Sequence, residues 1–355
     1  MEALIGPGIP VEIGQIDREL GKLWESSGDT RTRASLINLV IYSEAPEALA
    51  TNTEMIAAIA GQYACRAILI LADPQAAGCR TRAWIDAHCR LLGQGGREVC
   101  SEQITFLIDG SHCAALPGIV FSHLDSDLPL CLWWQAGFCG PTDEALWAWV
   151  DRLIFDSAVW SDPASQWDCV CKIGNLGKER TVLCDLNWTR LIPWRSALAA
   201  EFDHAAALAR LPELTSLHVR TGSGGLASAC LLLGWLADRL DWTPSNPGEF
   251  LTGSGRRVTW EISQAPEDGG IVSVEACAGD ACFRIARQED AGLFRMGVQV
   301  PGFPVSGHTL RATAERPADT LVAELSRGGR HPLYKRALAI ARQLLQGSSD
   351  IPDFG

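Results

Sequence analysis

Continuous apolar runs that alternate with helical patterns are the feature that most constrains the fold of this 355-residue chain. Four β-prone runs occupy residues 35–41 (SLINLVI), 66–71, 103–108 and 128–134 (LPLCLWW). Helical stretches over 47–62, 111–123 and 142–153 follow three of them, and helical spacing over 13–24 precedes the first. Parallel strands buried on both faces give continuous apolar runs, and strand–helix–strand repeats are typical of parallel crossovers. Residues 1–160 therefore predict a mostly parallel α/β domain with an N-terminal helix.

Residues 161–355 show a different pattern. Trp194, Leu198 and Phe202 lie at i, i+4 and i+8, and Pro193 suits a first helical turn, so an amphipathic helix is predicted there. Further helices are predicted over 227–240 and 331–345, and strands over 214–219, 257–263, 271–276, 281–286, 295–300 and 321–325. Short strands separated by glycine-containing turns indicate an antiparallel meander. This half is predicted to be an α+β domain.

Composition and charge narrow the class of protein. The hydrophobic fraction of 47% and the charged fraction of 20% are those of a globular chain rather than a disordered one. A net charge of -12, from 42 acidic and 30 basic residues, opposes binding to a phosphate backbone. Acidic residues stand where a signal peptide would be basic, and the apolar run over 229–237 is too short to span a bilayer. We expect a cytoplasmic protein without nucleic-acid or membrane partners.

The thirteen cysteines show no sequence pattern of a disulfide scaffold or a zinc site. Their number is odd, they are scattered through apolar segments, and no CxxC occurs. We therefore expect most of them to be small buried hydrophobic residues. Three pairs are nevertheless close enough in sequence for a redox pair if their sulfurs meet: Cys169 with Cys171, Cys277 with Cys282, and Cys89 with Cys100 across a glycine-rich turn.

Two motifs resemble parts of enzyme sites. Residues 222–227 satisfy G-x-G-x-x-A between a predicted strand and a predicted helix, where a dinucleotide pyrophosphate can sit. No second parallel strand ending in an acid follows, so a loop with a helix cap is the competing interpretation. Asp109, Ser111 and His112 follow a predicted strand, but Ser111 is better explained as a helix N-cap. We expect no catalytic residues, metal or cofactor; the alternative is a nucleotide- or sugar-phosphate-binding enzyme that uses the 222–227 loop.

Residues 185–195, DLNWTRLIPWR, concentrate two tryptophans and two arginines, the residue types most enriched in binding hot spots. Helical periodicity assigns Trp194 to the core, which leaves Trp188, Arg190 and Arg195 as candidates for partner contact. The alternative is a cation–π or salt-bridged knot that locks the two domains together. Trp134 is a further candidate, because strand alternation sends it and the preceding tryptophan to opposite faces.

Several ordered blocks of the sequence together resemble the glucose-6-phosphate dehydrogenase assembly protein family, OpcA, over roughly residues 30–345. The blocks are 96–104, 127–134 (DLPLCLWW), 154–157 (IFDS), 185–195 (DLNWTRLIPWR) and 232–242 (LLGWLADRLDW). The resemblance implies a non-catalytic effector that binds glucose-6-phosphate dehydrogenase and promotes its active oligomeric form at the entry to the oxidative pentose phosphate pathway. One departure is Gln135-Ala136, where the family commonly has a proline.

The resemblance also bears on the cysteines and on the partners. Some photosynthetic members of the family are associated with redox control through thioredoxin, which makes Cys89 and Cys100 candidates for a regulatory pair. Glucose-6-phosphate dehydrogenase is the expected partner, and thioredoxin a second one. A thiol switch also requires exposure and a lowered thiolate pKa, which the sequence does not reveal.

Overall fold

A computed structural model describes residues 6–25, 31–33, 35–60, 62–92, 97–140, 144–176, 181–288, 292–300, 306–311 and 316–346. The chain forms two compact units. Unit 1 comprises Met1–Phe155, Cys169–Cys184 and Arg316–Gly329, and unit 2 comprises Asp156–Asp168, Asp185–Glu315 and Arg330–Gly355. The chain therefore passes between the units more than once, and the domain boundary predicted between residues 160 and 161 stays a prediction.

Unit 1 is built on a sheet whose centre is parallel. Its strands are β1 (Ile9–Val11), β2 (Arg31–Arg33), β3 (Ile37–Ser43), β4 (Cys65–Asp73), β5 (Cys79–Leu92), β6 (Arg97–Gly110), β7 (Leu130–Trp134), β8 (Arg152–Phe155) and β9 (Val182–Asp185). Their order is β1-β5-β6-β4-β3-β7-β8-β9, and β2 pairs with β6. The pairings from β6 through β8 are parallel. Every residue of β3 is buried, which explains the continuous apolar run and confirms the mostly parallel α/β prediction.

Unit 2 contains a second sheet that is mostly antiparallel. Its strands are β10 (Ser216–Ser223), β11 (Thr243–Pro244), β12 (Glu249–Leu251), β13 (Arg257–Asp268), β14 (Ile271–Ala278), β15 (Ala281–Gln288), β16 (Leu293–Gln299) and β17 (Ser306–Arg311), in the order β11-β12-β13-β10-β14-β15-β16-β17. Among the described strands of this second sheet, only β10 and β13 pair in parallel. Strands β14 to β16 form the predicted antiparallel meander and β17, which was not predicted, extends it, so the α+β prediction for this half is confirmed.

The predicted helices occur in the predicted order with three corrections, and helices over 163–176, 186–190 and 205–208 were not predicted. They are α1 (Ile16–Glu25), α2 (Ala48–Ala60), α3 (Leu116–Ser122), α4 (Glu144–Trp147), α5 (Pro163–Leu176), α6 (Leu186–Arg190), α7 (Ile192–Glu201), α8 (Ala205–Leu208), α9 (Leu226–Arg239), α10 (Pro317–Ser326) and α11 (Pro332–Gln346). The strand predicted over 321–325 was wrong, because these residues lie inside α10. Pro317 starts that helix, and Leu321 and Leu325 bury one face at helical spacing.

The other two corrections concern unit 1. Ser111 does not cap a helix: a short 3₁₀ turn (Ser111–Ala115) follows Gly110, which has φ of 56°, before α3 begins. The helix predicted over 142–153 is the single turn α4, and the chain then enters β8. The long strand β5 was not predicted at all, because its polar and charged residues break the apolar run that marked its neighbours.

Six of the thirteen cysteines are paired in disulfides, which corrects the expectation that most are simple buried thiols. Two pairs, Cys89–Cys100 and Cys277–Cys282, join residues that lie directly opposite each other in antiparallel hairpins. Cys169 is bonded to Cys139 rather than to its sequence neighbour Cys171. Four of the remaining thiols are fully buried, at positions 65, 131, 184 and 230. Strand register and the approach of segments distant in sequence determine these pairs, and neither can be read from the spacing of the cysteines.

Within the described ranges, no helix is long and apolar enough to cross a membrane.

Helices α9 and α11 approach closely at Gly234, where an added Cβ would collide with the backbone carbonyl of Ala337. We expect Gly234→Ala to destabilise the protein by roughly 1–3 kcal/mol, because a backbone cannot yield as a flexible side chain does. Urea unfolding measures the change. Gly21→Ala in α1 is the matched control, since its Cβ meets nothing within 4 Å and should stabilise by roughly 0.5–1 kcal/mol. Equal effects at both positions would contradict the close helix contact.

Candidate functional site

The carboxylate of Asp185, the first residue of the DLNWTRLIPWR segment, is almost completely buried, with 1% exposure. It accepts hydrogen bonds from the backbone N–H and Oγ of Ser157 at 3.1 and 2.7 Å and from the backbone N–H of Asn187 at 3.0 Å. The hydroxyl of Tyr334 donates a further bond at 3.1 Å. The bond to Asn187 caps α6, as carboxylates commonly do at helix N-termini.

The network continues through side-chain amides and hydroxyls, all in unit 2. The amide of Asn187 donates to Ser157 Oγ at 3.0 Å, and Ser228 Oγ donates to Asn187 Oδ1 at 2.8 Å. We call Ser157, Asp185, Asn187, Ser228 and Tyr334 the Asp185 cluster; all five residues are buried. The cluster joins the 3₁₀ turn after β8, the start of α6, the first turn of α9 and the first turn of α11. Buried polar groups that are satisfied in this way fix one arrangement of the segments that carry them.

Burial raises the pKa of Asp185 from its ordinary 3.8 to about 7, and the negative charge of Asp156 adds to the rise. The hydrogen bonds from Ser157 and Asn187 act in the opposite direction. The carboxyl is therefore held in a site that tolerates its neutral form near physiological pH.

Trp188 lies beside this cluster and supports Arg195. The Trp188 ring is 5% exposed and lies 5.6 Å from the Tyr334 ring. The guanidinium of Arg195 lies over the Trp188 ring at 3.6 Å from its centroid and donates to the Trp188 carbonyl at 3.0 Å. Arg190 is ion-paired with Asp156, and its side chain is 36% exposed. Arg190 and Arg195 are thus half-exposed, whereas Trp188, which lies beneath Arg195, is buried.

The other tryptophans of the sequence analysis have different positions. Trp194 is buried, as helical spacing predicted, and packs on Phe294 with ring centroids 4.5 Å apart. Trp134 belongs to unit 1, where it is half-buried and stacked on Tyr42 at 3.9 Å. Its Nε1 donates to the Gly137 carbonyl at 3.2 Å. The structure therefore brings Trp188, Arg190 and Arg195 together and places Trp134 in the other unit.

The departure at Gln135-Ala136 has a local explanation in unit 1. The side-chain amides of Gln135 and Asn52 exchange two hydrogen bonds, at 2.8 and 2.9 Å. Asn52 is buried on α2, so its amide needs such a partner. Gln135 therefore ties the turn after β7 to α2.

Neither enzyme-like motif forms a group of converging catalytic side chains. In the 222–227 loop, Gly224 has φ of 73°, and a Cβ on Gly225 would collide with Thr221. These glycines allow a tight turn into α9, which agrees with the competing loop interpretation. In the second motif, His112 Nδ1 lies 3.0 Å from Thr81 Oγ1, and Asp109 lies 3.9 Å from Arg82, so both side chains contact the neighbouring strand β5.

Sequence reasoning missed Glu201, the last residue of α7. Its side chain is buried with 2% exposure, and neither carboxylate oxygen has a hydrogen-bond partner in the described part of the chain. Burial alone raises its pKa from 4.5 to about 7. Its burial could have been predicted from the sequence, because Glu201 lies seven residues after Trp194 and so shares the helix face of that core residue.

The cysteine pair singled out from the sequence is asymmetric. Cys89 on β5 is exposed and Cys100 on β6 is fully buried, with the two Cα atoms 4.0 Å apart. One sulfur of this disulfide therefore belongs to an exposed residue, and the other to the sheet interior.

Comparison with known families decides the identity of the chain. Residues 56–172 match the glucose-6-phosphate dehydrogenase subunit N-terminal domain of OpcA, and residues 181–338 match the corresponding C-terminal domain. The chain belongs to the OpcA family. The two matches contain all four partner-contact candidates and confirm the family resemblance seen in the sequence blocks.

Relatives of this OpcA-family chain come from cyanobacteria. It is 28% identical over 310 residues to an OxPP cycle protein OpcA of Synechococcus elongatus, covering 79% of this chain and 68% of that protein. It is 25% identical to an OpcA of Synechocystis, covering 81% of this chain and 65% of that protein. A solved oxidoreductase from Magnetospirillum magnetotacticum is 14% identical, with a TM-score of 0.49 over 89% of this chain and 100% of that one. The chain thus spans about two thirds of the curated OpcA relatives.

The buried carboxyl of Glu201 predicts a pH-dependent stability. The pKa of Glu201 is higher in the folded state than in the unfolded state, so the protonated carboxyl stabilises the fold relative to the ionised one. This stabilisation is fully present below pH 4.5 and is lost as the pH rises through about 7. We expect Glu201→Gln to be more stable than wild type at pH 8 by roughly 2–3 kcal/mol, with little difference at pH 4.5. Urea unfolding at the two pH values measures this.

The exposed Asp203, two residues further on, gives the control variant Asp203→Asn, which should follow the wild-type pH dependence. A Glu201→Gln variant that differs equally from wild type at both pH values would show that this carboxyl does not titrate between them.

Proposed function

We propose that this chain is a non-catalytic effector that binds glucose-6-phosphate dehydrogenase and promotes its active oligomeric state in the oxidative pentose phosphate pathway. The observation that carries this proposal is the match of both halves of the chain to domains described as parts of a glucose-6-phosphate dehydrogenase subunit. The OxPP name of the cyanobacterial relatives supports the pathway.

An effector of this kind acts through differential affinity. It must bind the active oligomer of the dehydrogenase more tightly than the inactive form, because equal affinity for both shifts no population. A coupling free energy of about 1–3 kcal/mol is typical of such regulation. The contact surface on this chain therefore has to be rigid enough to distinguish two forms of its partner.

The surface formed by Arg190 and Arg195 meets this requirement. Both guanidiniums are half-exposed, and Trp188 and the Asp185 cluster hold the segment that carries them. Arginine on a pre-organised support loses less conformational entropy when it binds than a free surface side chain does. We propose that Arg190 and Arg195 contact the dehydrogenase, that Trp188 positions them, and that Trp134 contributes a separate contact from unit 1.

Substitution of either arginine tests the proposed contact. We expect Arg190→Ala and Arg195→Ala to raise the concentration needed for half-maximal dehydrogenase activation roughly fivefold to thirtyfold, as loss of a hot-spot residue does. Activation titrations and co-elution with the dehydrogenase measure this.

Arg284→Ala is the matched control, because Arg284 is also a surface arginine of unit 2 that pairs with a carboxylate, Glu275. It should activate like wild type. Normal activation by both folded test variants would remove this surface from the interface, and an equal loss in the control would show that the effect is only one of net charge.

We further propose that the Cys89–Cys100 disulfide modulates this activation and that thioredoxin reduces it. Thiol–disulfide exchange requires access of the attacking thiolate to one sulfur, and Cys89 is the exposed member of the pair. Cleavage would remove a covalent bond between β5 and β6.

Reduced thioredoxin should change dehydrogenase activation by wild type but not by Cys89→Ser or Cys100→Ser. Titration of the activation before and after reduction measures this, and Cys277→Ser, in the other cross-strand disulfide, is the control that should keep the wild-type response. A full response in both test variants would exclude this pair as the redox site.

A further inference from the structure

Six strands of unit 1 follow the order β6-β4-β3-β7-β8-β9. This is the order 3-2-1-4-5-6 of doubly wound dinucleotide-binding sheets, with β3 as the first strand. In such sheets the dinucleotide lies at the carboxyl ends of the strands, where the strand order reverses, which here is between β3 and β7. The pyrophosphate binds at the N-terminus of the helix that follows the first strand, which here is α2.

The segment between β3 and α2 does not fit a pyrophosphate. Residues 43–47 read SEAPE and contain no glycine, although close approach of the backbone to the pyrophosphate depends on glycine. Pro46 has no backbone N–H to donate. Glu44 and Glu47 are exposed and place two negative charges at the start of the helix, where the phosphates would need to bind.

The crevice between β3 and β7 is filled by side chains of the protein itself. Tyr42 on β3 and Trp134 on β7 are register partners, and their rings are stacked at 3.9 Å with an interplanar angle of 8°. The Trp134 ring also packs edge-on against Trp147, with centroids 5.1 Å apart, and lies tilted beside Phe138 at 6.3 Å. The Tyr42 hydroxyl donates to Glu44 Oε1 at 2.8 Å, which closes the stack on the side of the loop.

Charge at this edge of the sheet opposes a dinucleotide as well. Glu44 follows β3, Asp73 ends β4, and Asp109 lies at the end of β6. Burial is the main cause of the raised pKa of the Cys113 thiol, and the negative charges of these three residues raise it further. The three charges therefore act on one region. Arg82 lies 3.9 Å from Asp109 and offsets part of this charge. Asp73 provides an acid at the position that binds a ribose hydroxyl in dinucleotide-binding sheets. One element of a dinucleotide site is therefore present, but the glycines and free backbone N–H groups that bind the phosphates are not.

We infer that this chain has the strand order of a dinucleotide-binding domain but binds no nicotinamide dinucleotide, because Tyr42 and Trp134 fill the crevice that the cofactor would occupy. Any effect of NADP⁺ or NADPH on a complex with the dehydrogenase then arises at the dehydrogenase. The inference concerns this chain alone and does not depend on the proposed effector role.

Direct binding to the isolated full-length chain tests the inference. NAD⁺, NADH, NADP⁺ and NADPH are titrated to millimolar concentrations, followed by calorimetry, thermal unfolding and energy transfer from tryptophan to the reduced nicotinamides. Glucose-6-phosphate dehydrogenase serves as the positive control. We expect no saturable binding and no shift in Tm with any of the four. Saturable binding of any one of them overturns the inference, whether or not the chain activates the dehydrogenase.

A second measurement tests whether Trp134 fills the crevice. Trp134→Ala should lower Tm by at least about 4 °C, because a stacked ring that packs against three other aromatic rings is lost. Trp149→Ala is the matched control, since the Trp149 side chain in the same unit is 67% exposed and should change Tm little. An unchanged Tm for Trp134→Ala would mean that the ring is not part of the packed interior, and would also overturn the inference.

Discussion

The arrangement of the DLNWTRLIPWR segment depends on the hydrogen bonds to the buried carboxylate of Asp185. Four donated hydrogen bonds reach it, and together they fix the 3₁₀ turn at Ser157, the start of α6 and the first turn of α11. A charge or dipole buried to this extent is costly unless every acceptor is satisfied, so the segments that supply the donors are not free to move independently. These hydrogen bonds therefore fix the start of the helix that carries Trp188 and Arg190.

The same segment combines a buried aromatic side chain with half-exposed arginines. Trp188 is buried beside Tyr334, and the guanidinium of Arg195 lies over the Trp188 ring. An aromatic ring used in this way holds a cation at the surface without removing it from solvent. In unit 1, aromatic packing has a different result: Tyr42 and Trp134 occupy the position where a doubly wound sheet ordinarily binds its cofactor. A strand order that often carries dinucleotide chemistry therefore does not by itself determine what the protein binds.

Local patterns predicted the fold where an element had a continuous apolar run or was bounded by turn signals. The fully buried β3 was found for the first reason, and strands β14 to β16 of the meander were found for the second. Prediction failed at β5, whose alternation of charged and apolar residues resembles no continuous run, and at 321–325, where five residues cannot distinguish helical from extended spacing. Of the candidate site, the sequence indicated Arg190 and Arg195 as candidates and the core position of Trp194. It did not indicate that Trp188 is buried, and the helical spacing that places Glu201 on the face of Trp194 was missed.

By itself, the sequence determined the two classes of sheet, the order of most helices and membership of the OpcA family, because apolar periodicity and rare residue combinations are local properties of the chain. Tertiary structure alone decided which cysteines are bonded, which acids are buried and which aromatic rings stack at the centre of the parallel sheet. These outcomes depend on strand register and on the approach of segments far apart in sequence, such as Asp185 and Tyr334. No local pattern encodes such distances, since they arise only when the apolar faces of many elements are buried together.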